Sequence, residues 1–232
     1  MDGLPISVVI PALDEAGWID SAVASALAVG DAECIVVDGG SRDATLEQAT
    51  RAGARTAVSR RGRAAQLNTG ARLARHPLLV FLHADTVLPT GYDRAVRRIL
   101  LSPGIACGAF RLRIEPATSS LRAIEKIANL RARRLAMPYG DQALFIRADR
   151  FHQLRGFPDL PVMEDFEFVR RLRRMGRIEV ARETVATSAR RWRQRGAWRT
   201  TMLHQAAVLA YLGGVAPETI ARWTGRSGTA NG

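Results

Sequence analysis

The stretch that decides the fold is PLLVFLHAD, residues 77–85. Its first six residues are a short apolar run that ends in polar and turn-forming residues, which is typical of a buried strand. His83 and Asp85 would then lie at the carboxyl end of that strand, where ligands bind in open α/β sheets. An imidazole and a carboxylate there can hold a divalent cation and, through it, a phosphate. The pattern His83-Ala84-Asp85 is short, however, and taken alone it favours an Asp85 that only caps the next helix.

Three similar units precede this strand, each with an apolar run, a polar loop and a helical stretch. The predicted strands are residues 6–10, 33–37 and 56–58, and the predicted helices are residues 18–29, 44–52 and 63–74. This alternation predicts an α/β fold with a mostly parallel central sheet flanked by helices. After Asp85 the alternation loosens. The later predicted helices are 92–101, 119–135, 151–155, 165–175, 196–211 and 218–223, and the later strands are 105–112, 142–146, 178–180 and 184–186.

The composition suits a protein with a sizeable core, since 47% of the 232 residues are hydrophobic. No apolar run approaches the roughly 18 residues of a membrane span, and the first residues lack a signal-peptide pattern. We therefore expect a cytoplasmic protein. Cys34 and Cys107 both lie in apolar, strand-like stretches. Buried free thiols are expected there, rather than a disulfide or a metal site.

The formal net charge is +12, and Lys126 is the only lysine among the 34 basic residues. Arginine forks match phosphates and carboxylates, so the charge favours anionic ligands or surfaces. The arginines are scattered along helices, without a zinc-finger, RRM or helix-turn-helix pattern. A nucleic-acid partner is therefore not expected.

The loop after the second strand reads Asp38-Gly39-Gly40-Ser41. Its glycines permit a tight turn and close approach of a ligand, and a carboxylate there can accept from a ribose or a base. The dinucleotide pattern GxGxxG is absent, which disfavours a Rossmann site. The other interpretation is a plain turn that leads into a helix. We expect Asp43 to cap that helix and Asp38 to remain uncommitted.

A second loop, with Gly62 and Arg63 at the start of a helix, follows two further arginines. Helix N-termini attract phosphate, and arginines add positive charge. A solvated basic loop would look the same in the sequence.

The second half of the chain contributes further acids and arginines. Glu164 and Asp165 precede an apolar helix, so they are either capping acids or a general base at a helix start. Asp141 is a carboxylate without an evident structural duty. Residues 190–192, Arg-Arg-Trp, are either solvated charge beside a core tryptophan or a lid that meets a diphosphate.

Taken in order, these motifs resemble the family-2 glycosyltransferases with the GT-A fold. The resemblance covers roughly residues 5–195, and seven motifs in the right order argue against coincidence. The supporting stretches are 8–11 with Glu15, 37–43, 62–68, 81–85, 140–142, 156–158 with 164–165, and 190–192.

The resemblance assigns a role to each matching position. Pro11, Ala12, Glu15 and Asp38 match residues that hold the nucleotide base and ribose. Asp85 matches the last acid of the DxD motif, which binds Mg²⁺ or Mn²⁺ on the diphosphate, and Gly62 and Arg63 lie on the phosphate side. Asp165 matches the base that takes the acceptor proton, with Glu164 as its neighbour in the ED motif. Asp141, Arg191 and Trp192 are assigned to the acceptor or diphosphate side.

Three positions depart from the family pattern. Ser188 stands where processive members have the glutamine of QxxRW, which argues against a polymer synthase. Gly39 replaces the second acid of DDGS, and His83 replaces the first acid of DxD. The last two differences are similar to those of a subgroup of small bacterial family members. His83 could ligate the metal together with Asp85, contact the diphosphate, or only fill the position of the missing acid.

The resemblance implies a hexosyltransferase that moves a sugar from a nucleoside-diphosphate sugar to an acceptor hydroxyl, inverting and non-processive. The resemblance favours a UDP-type donor, because such donors are common in the family. Two rivals remain open. One is a sugar nucleotidyltransferase of related fold, although residues 11–15 lack the glycine-rich, basic loop that such enzymes carry after the first strand. The other is a non-enzymatic module that binds anions or a membrane surface.

The expected organisation has three parts. These are a GT-A catalytic domain at 1–195, a C-terminal helical extension packed on it at 196–224, and a flexible tail at 225–232. The helical stretches 166–175, 123–135 and 198–211 are basic or apolar enough to lie on a bilayer, at the inner face of the membrane. The weightier interpretation is that their apolar faces belong to the core.

Overall fold

A computed structural model describes residues 3–225, and the predicted tail beyond Gly225 lies outside the described residues. The strands of this range are β1 Ile6–Ala12, β2 Ala32–Asp38, β3 Arg55–Val58, β4 Leu78–Phe81, β5 Thr86–Val87, β6 Ile105–Glu115, β7 Phe145–Arg147 and β8 Arg177–Ser188. Its α-helices are α1 Ile19–Ala26, α2 Thr45–Arg51, α3 Arg63–Leu73, α4 Tyr92–Leu100, α5 Ser119–Leu135, α6 Ala148–Gln153, α7 Glu164–Leu172, α8 Arg190–Arg195, α9 Ala197–Leu212 and α10 Pro217–Trp223.

One sheet, in the order β3-β2-β1-β4-β7-β6-β8-β5, contains all of these strands. Strands β3, β2, β1 and β4 run parallel, β7 is antiparallel to both of its neighbours, and β8 is parallel to β6. The predicted α/β architecture with a mostly parallel sheet is confirmed. Ala12 pairs with Asp38 in register, so β1 and β2 end at the same edge.

Alternating side chains of the buried strands supply two separate cores, one on each face of the sheet. Val8 and Ile10 join the core that contains α1 and α4, whereas Val9 joins the core that contains α3, α6 and α7. Strands buried on both faces read as continuous apolar runs, which is why residues 6–10 and 77–82 were recognisable. The C-terminal helices add Ala207 and Ile220 to the second core.

Three local features differ from the sequence-based expectation. The predicted short strands 178–180 and 184–186 are parts of one strand, β8, because the residues between them bulge out of the pairing with β6. The predicted strand 142–146 begins only at Phe145, since Gly140–Gln142 forms a 3₁₀ turn. Strand β5 was not predicted, because two residues carry no periodic signal.

Cys34 and Cys107 are both buried and free, as predicted. Across residues 3–225, every helix is too short or too polar to cross a bilayer.

Candidate active site

The ends of β1 and β2 are tied together by one buried side chain from α3. The Nε2 group of Gln66 donates to the carbonyl oxygen of Ala12 at 2.7 Å and to that of Val37 at 2.9 Å. The Gly39 N–H also donates to the Ala12 carbonyl. Both strand ends therefore present a fixed backbone edge, which includes the predicted base-contacting residues Pro11 and Ala12.

Asp38 is committed to its own turn. One carboxylate oxygen accepts the N–H groups of Gly40 and Ser41 at 2.8 Å each, and the Ser41 hydroxyl donates to the other oxygen. Gly40 has a φ of +95°, a conformation that glycine adopts at little cost. The expectation of an uncommitted Asp38 is therefore wrong, although one lone pair can still meet a ligand. Asp43 accepts from the Thr45 N–H, but the N-cap residue of α2 is Ala44, so Asp43 lies one residue before the predicted capping position.

Glu15 is bound by an arginine from the far end of the chain. The Arg190 guanidinium donates to its two carboxylate oxygens at 2.8 and 2.7 Å. Burial raises the pKa of Glu15, and the nearby Arg190 only partly offsets that rise. The Glu15 N–H also donates to the Thr45 hydroxyl. The loop that follows β1 is thus clamped between α2 and α8.

Asp85 lies beside a large cavity of about 590 Å³. The Ser188 N–H donates to the Asp85 carbonyl oxygen at 3.0 Å, which joins the loop between β4 and β5 to the end of β8. The other polar walls of this large cavity are Arg190, Arg191 and Gln194 of α8 and Arg199, Thr200 and His204 of α9. Asp85 is the only acid among the described lining residues, so the cavity is electropositive.

Asp165 lines a small chamber of about 40 Å³. Backbone N–H groups hold its carboxylate on both oxygens: Gly140 donates to Oδ2 at 2.8 Å and Phe166 donates to Oδ1 at 2.7 Å. The chamber is also lined by Arg63, His83, Tyr139, Asp141, Arg191 and His204. Because Arg191 and His204 line both spaces, the small chamber and the large cavity adjoin.

Asp141 is an unusual member of the small chamber. Its Oδ1 atom is fully buried and has no hydrogen-bond partner among the residues that the structure describes. Burial raises the pKa of Asp141, Arg131 counteracts that rise, and Asp165 adds to it. A buried carboxylate oxygen without a partner costs folding free energy, so the position has the character of a ligand-binding group.

One ion pair and the charges of nearby side chains act on the arginines around the chamber. Glu164 is buried and lies 3.4 Å from a guanidinium nitrogen of Arg63. Burial lowers the pKa of Arg191, as does the charge of Arg63, whereas Asp85 and Asp141 act in the opposite direction. Arg191 lines both spaces, together with Asp85 in the large cavity and with Asp141 in the small chamber.

Not all predicted site residues come together. Arg63, His83, Asp141, Asp165 and Arg191 meet around the small chamber. Trp192, in contrast, packs against the hydrophobic cluster of β6 and α5 and is not among the described residues that line either space. Gly62 begins α3 with a φ of +133° and places Arg63 rather than lining the chamber itself.

The predicted metal pair is divided between the two spaces. Asp85 lines the large cavity, whereas His83 lines the small chamber, where its Nε2 atom lies 3.1 Å from the position a Cβ on Gly140 would take. Within the described chain, no group of three His, Cys, Asp or Glu side chains could hold a metal. One carboxylate still fits Mg²⁺, which commonly binds one or two carboxylates together with substrate phosphates and water.

Several contributors were missed at the level of sequence. Gln66 gave a faint signal, as a polar residue at a helix position that faces the sheet. Thr200 and His204 gave none, because only the tertiary packing of α9 brings them to the cavities. Tyr139 is held by Arg131, whose guanidinium carbon lies 3.4 Å from the ring centroid.

The acids and arginines gather at the carboxyl edge of an α/β sheet, which is the edge where open α/β sheets bind ligands. The sequence model of glycosyl transferase family 2 matches residues 7–155. The chain belongs to this family. No curated protein matches it.

Solved structures agree on the fold, which is GT-A. The mannosyltransferase PcManGT from Pyrobaculum calidifontis, in complex with GDP-Man and Mn²⁺, is 18% identical with a TM-score of 0.67, over 96% of this chain and 68% of that one. TarS residues 1–349 from S. aureus, in complex with UDP-GlcNAc, are 16% identical with a TM-score of 0.63, over 80% and 58%. Glucosyl-3-phosphoglycerate synthase from Mycobacterium tuberculosis, in complex with Mg²⁺ and UDP, is 22% identical with a TM-score of 0.57, over 80% and 70%. The chain thus spans well under the full length of these proteins.

Proposed function

We propose that this glycosyltransferase moves a hexose from a nucleoside-diphosphate sugar to an acceptor hydroxyl, with inversion and without processivity. The observation that carries the proposal is the placement of Asp165. Its carboxylate is oriented by two backbone N–H groups in a chamber that adjoins the cavity lined by Asp85. This arrangement supports a general base next to the place where we propose that a diphosphate lies.

In the proposed reaction, Asp165 takes the proton of the acceptor hydroxyl as that oxygen bonds to the anomeric carbon. The bond from the anomeric carbon to the diphosphate oxygen breaks, and the diphosphate leaves with the electron pair. Because Asp165 is the single proposed base, we propose one displacement at the anomeric carbon. A single displacement inverts the configuration of that carbon. Glu164 is paired with Arg63, so its proposed role is to hold that arginine rather than to accept the proton.

The donor class rests on the fold neighbours, which bind GDP-Man, UDP-GlcNAc or UDP. In this chain the base and ribose would meet Pro11, Ala12, Glu15 and Asp38 at the ends of β1 and β2. Gln66 fixes the Ala12 carbonyl and Arg190 fixes the Glu15 carboxylate at these strand ends. A UDP-type donor stays our proposal, and a GDP-type donor is its direct competitor.

We further propose that Asp85 holds a divalent metal, Mg²⁺ or Mn²⁺, through its carboxylate. A metal bound there would neutralise charge that develops on the diphosphate. Two neighbours are complexes with Mn²⁺ or Mg²⁺. Because His83 lines the small chamber instead, we expect Asp85→Ala, and not His83→Ala, to remove the metal dependence of nucleotide binding.

The donor is best identified by thermal unfolding of the full chain with a panel of nucleotides and nucleotide sugars, with and without Mn²⁺. A ligand that binds only the native state stabilises it by about 2.7 kcal/mol at a hundredfold excess over its Kd. For a chain of this size that is a rise in Tm of roughly 5–10 °C. A panel in which no nucleoside diphosphate raises the Tm would contradict the proposed donor class.

The nucleotidyltransferase alternative is separated by its products. A chain incubated with a sugar phosphate and a nucleoside triphosphate would release pyrophosphate under that alternative. We expect no release, because residues 13–15 after β1 form an acidic loop, in which Arg190 binds Glu15, rather than a basic phosphate-binding loop.

We also infer contact with an anionic membrane surface, through α9. Trp198, Met202, Leu209 and Leu212 lie within one narrow arc of this helix and are exposed, opposite the buried Thr200 and Ala207. We call these four residues the outer stripe of α9. The proposed contact excludes α7, one of the helices considered from sequence, because its apolar side chains are buried in the core.

A further inference from the structure

We propose that the first turn of α9 is an anion subsite, and that the acceptor carries a phosphate or carboxylate that binds there. This inference rests on the proposed glycosyl transfer and specifies its substrate class. The subsite consists of Arg199, Thr200 and the N-terminal N–H groups of α9, on the wall of the large cavity.

The Thr200 hydroxyl is the observation that first points to a ligand. Thr200 is 8% exposed and lines the large cavity, and its Oγ1 atom is fully buried without a hydrogen-bond partner within residues 3–225. Helical Ser and Thr hydroxyls often bond back to the carbonyl four residues earlier, as the neighbouring Thr201 does with Ala197 at 3.0 Å. Thr200 does not, so its hydroxyl is a buried group at the cavity wall whose hydrogen bonds are unmet within the described residues.

The surroundings of this hydroxyl favour an anion. The first N–H groups of any α-helix lack partners within the helix and carry partial positive charge, and α9 is sixteen residues long. Arg199 precedes Thr200 and lines the same cavity, in which Asp85 is the single acid among the described residues. A guanidinium, a hydroxyl and helix N–H groups together form charge-assisted hydrogen bonds to a phosphate or carboxylate.

The position of the subsite assigns it to the acceptor. Thr200 and His204 are four residues apart on the same face of α9, which is about 6 Å along the helix axis. His204 also lines the small chamber that contains Asp165. An anionic group at Thr200 is therefore one helical turn from His204, which lines the chamber where an acceptor must place its hydroxyl. The donor diphosphate is instead expected at Asp85, with the nucleotide beyond it near Glu15.

The test compares phosphate binding and nucleotide binding by calorimetry in the full chain. The probes are inorganic phosphate, and UDP or GDP with Mn²⁺. Thr200→Val keeps the shape of the side chain and removes the hydroxyl, and Thr201→Val is the matched control on the neighbouring residue. Arg199→Gln removes the charge, and Arg134→Gln on the exposed surface of α5 is its matched control.

We expect Thr200→Val and Arg199→Gln each to weaken phosphate binding about tenfold, as loss of a hydrogen bond to a charged group does. Both controls should bind phosphate like the wild type, and none of the four changes should alter nucleotide affinity. Thr200→Val should also leave the Tm unchanged or raise it, because it removes a buried hydroxyl without a partner. Phosphate should still bind when the nucleotide site is saturated.

Three results would overturn the inference. Wild type and variants could bind phosphate equally well or not at all, in which case α9 holds no anion subsite. Nucleotide affinity could fall together with phosphate affinity, or saturating nucleotide could displace phosphate, and the subsite would then belong to the donor. Thr200→Val could lower the Tm and leave phosphate binding intact, which marks a purely structural hydroxyl. Failure of the proposed function is a separate result, since it appears as a wild-type chain that binds no nucleotide.

Discussion

At the scale of the residue, Asp165 gives the sharpest prediction. Two backbone N–H groups orient its carboxylate, so Asp165→Asn keeps the size of the side chain and changes mainly its basicity. We expect turnover to fall by about 10²–10⁴-fold, which is the usual contribution of a general base. Nucleotide affinity should stay within error of the wild type. Asp165 lines the small chamber, whereas the nucleotide is proposed to bind at the ends of β1 and β2.

The measurement is sugar transfer under donor saturation, with nucleotide binding recorded on the same preparation. Asp20→Asn, on the exposed surface of α1, is the control for the loss of one carboxylate. Near-normal turnover in Asp165→Asn with intact nucleotide binding would remove Asp165 from the role of base.

Asp141 predicts a pH-dependent stability. Burial raises its pKa above the ordinary value of 3.8, so the native state binds this proton more tightly than the unfolded chain does. Stability is therefore lost as pH rises through the raised pKa, and Asp141→Asn removes that loss. We expect the variant to melt roughly 2–4 °C higher at neutral pH, equivalent to about 1 kcal/mol. The gain should vanish at a pH below the ordinary value.

Thermal unfolding across an acidic-to-neutral pH series checks this expectation. Asp149→Asn is an instructive control, because the hydrogen bond from Arg147 lowers the pKa of Asp149 and its loss cannot stabilise the chain at neutral pH. An Asp141→Asn variant that melts at or below the wild-type temperature at neutral pH would contradict the proposed cost of this carboxylate.

Residue roles could be proposed from sequence where the residues match a family motif. Asp85 and Asp165 were proposed from their match to the DxD and ED motifs, since each acid alone favoured a helix cap. Asp38 was misjudged, since its bonds to Gly40 and Ser41 depend on a local turn that composition does not reveal. Thr200 could not be predicted from the sequence, because its proposed role in the anion subsite depends on the packing of α9 against the large cavity.

At the scale of the element, α3 lies unusually close to β1. A Cβ on Gly70 would lie 2.2 Å from the Cγ1 atom of Val9, so the helix rests directly on the strand at this point. Gly70→Ala should destabilise the chain by about 1–3 kcal/mol, as overpacking of a dense core does. It should also weaken nucleotide binding, because α3 carries Gln66 and Arg63 to the site.

Chemical unfolding measures this effect. Gly17→Ala is the matched control, since nothing lies within 4 Å of its added Cβ. The close contact would be refuted by a Gly70→Ala variant as stable as Gly17→Ala.

Elements were predictable in proportion to their length and periodicity. The prediction for α5, residues 119–135, coincides with the observed helix, because seventeen residues repeat an amphipathic pattern. The later strands were harder to predict from the sequence. β8 carries a bulge with polar residues, and β7 has only three residues between a 3₁₀ turn and α6.

At the scale of the whole molecule, charge and the outer stripe of α9 together predict binding to an anionic bilayer. With a net charge of +12, the full chain should float with vesicles of phosphatidylglycerol and phosphatidylcholine at low salt. It should not float with pure phosphatidylcholine, and rising salt should release it. Met202→Ser with Leu209→Ser should abolish the binding, since these side chains are 68% and 70% exposed.

Leu101→Ser is the control, because Leu101 is exposed at the end of α4, away from α9. Equal flotation on neutral and anionic vesicles, or unchanged flotation of the double variant, would rule out the outer stripe as a membrane contact.

The contact between Glu15 and Arg190 joins residues 175 positions apart, and this has a consequence for synthesis of the chain. A nascent protein leaves the ribosome amino end first, so the four parallel strands can assemble while α8 is still untranslated. During that interval the Glu15 carboxylate faces water without its guanidinium. The loop after β1 therefore receives its final shape only near the end of translation. A nascent chain stalled before Arg190 would have an incomplete site at the ends of β1 and β2, where we propose that the nucleotide binds.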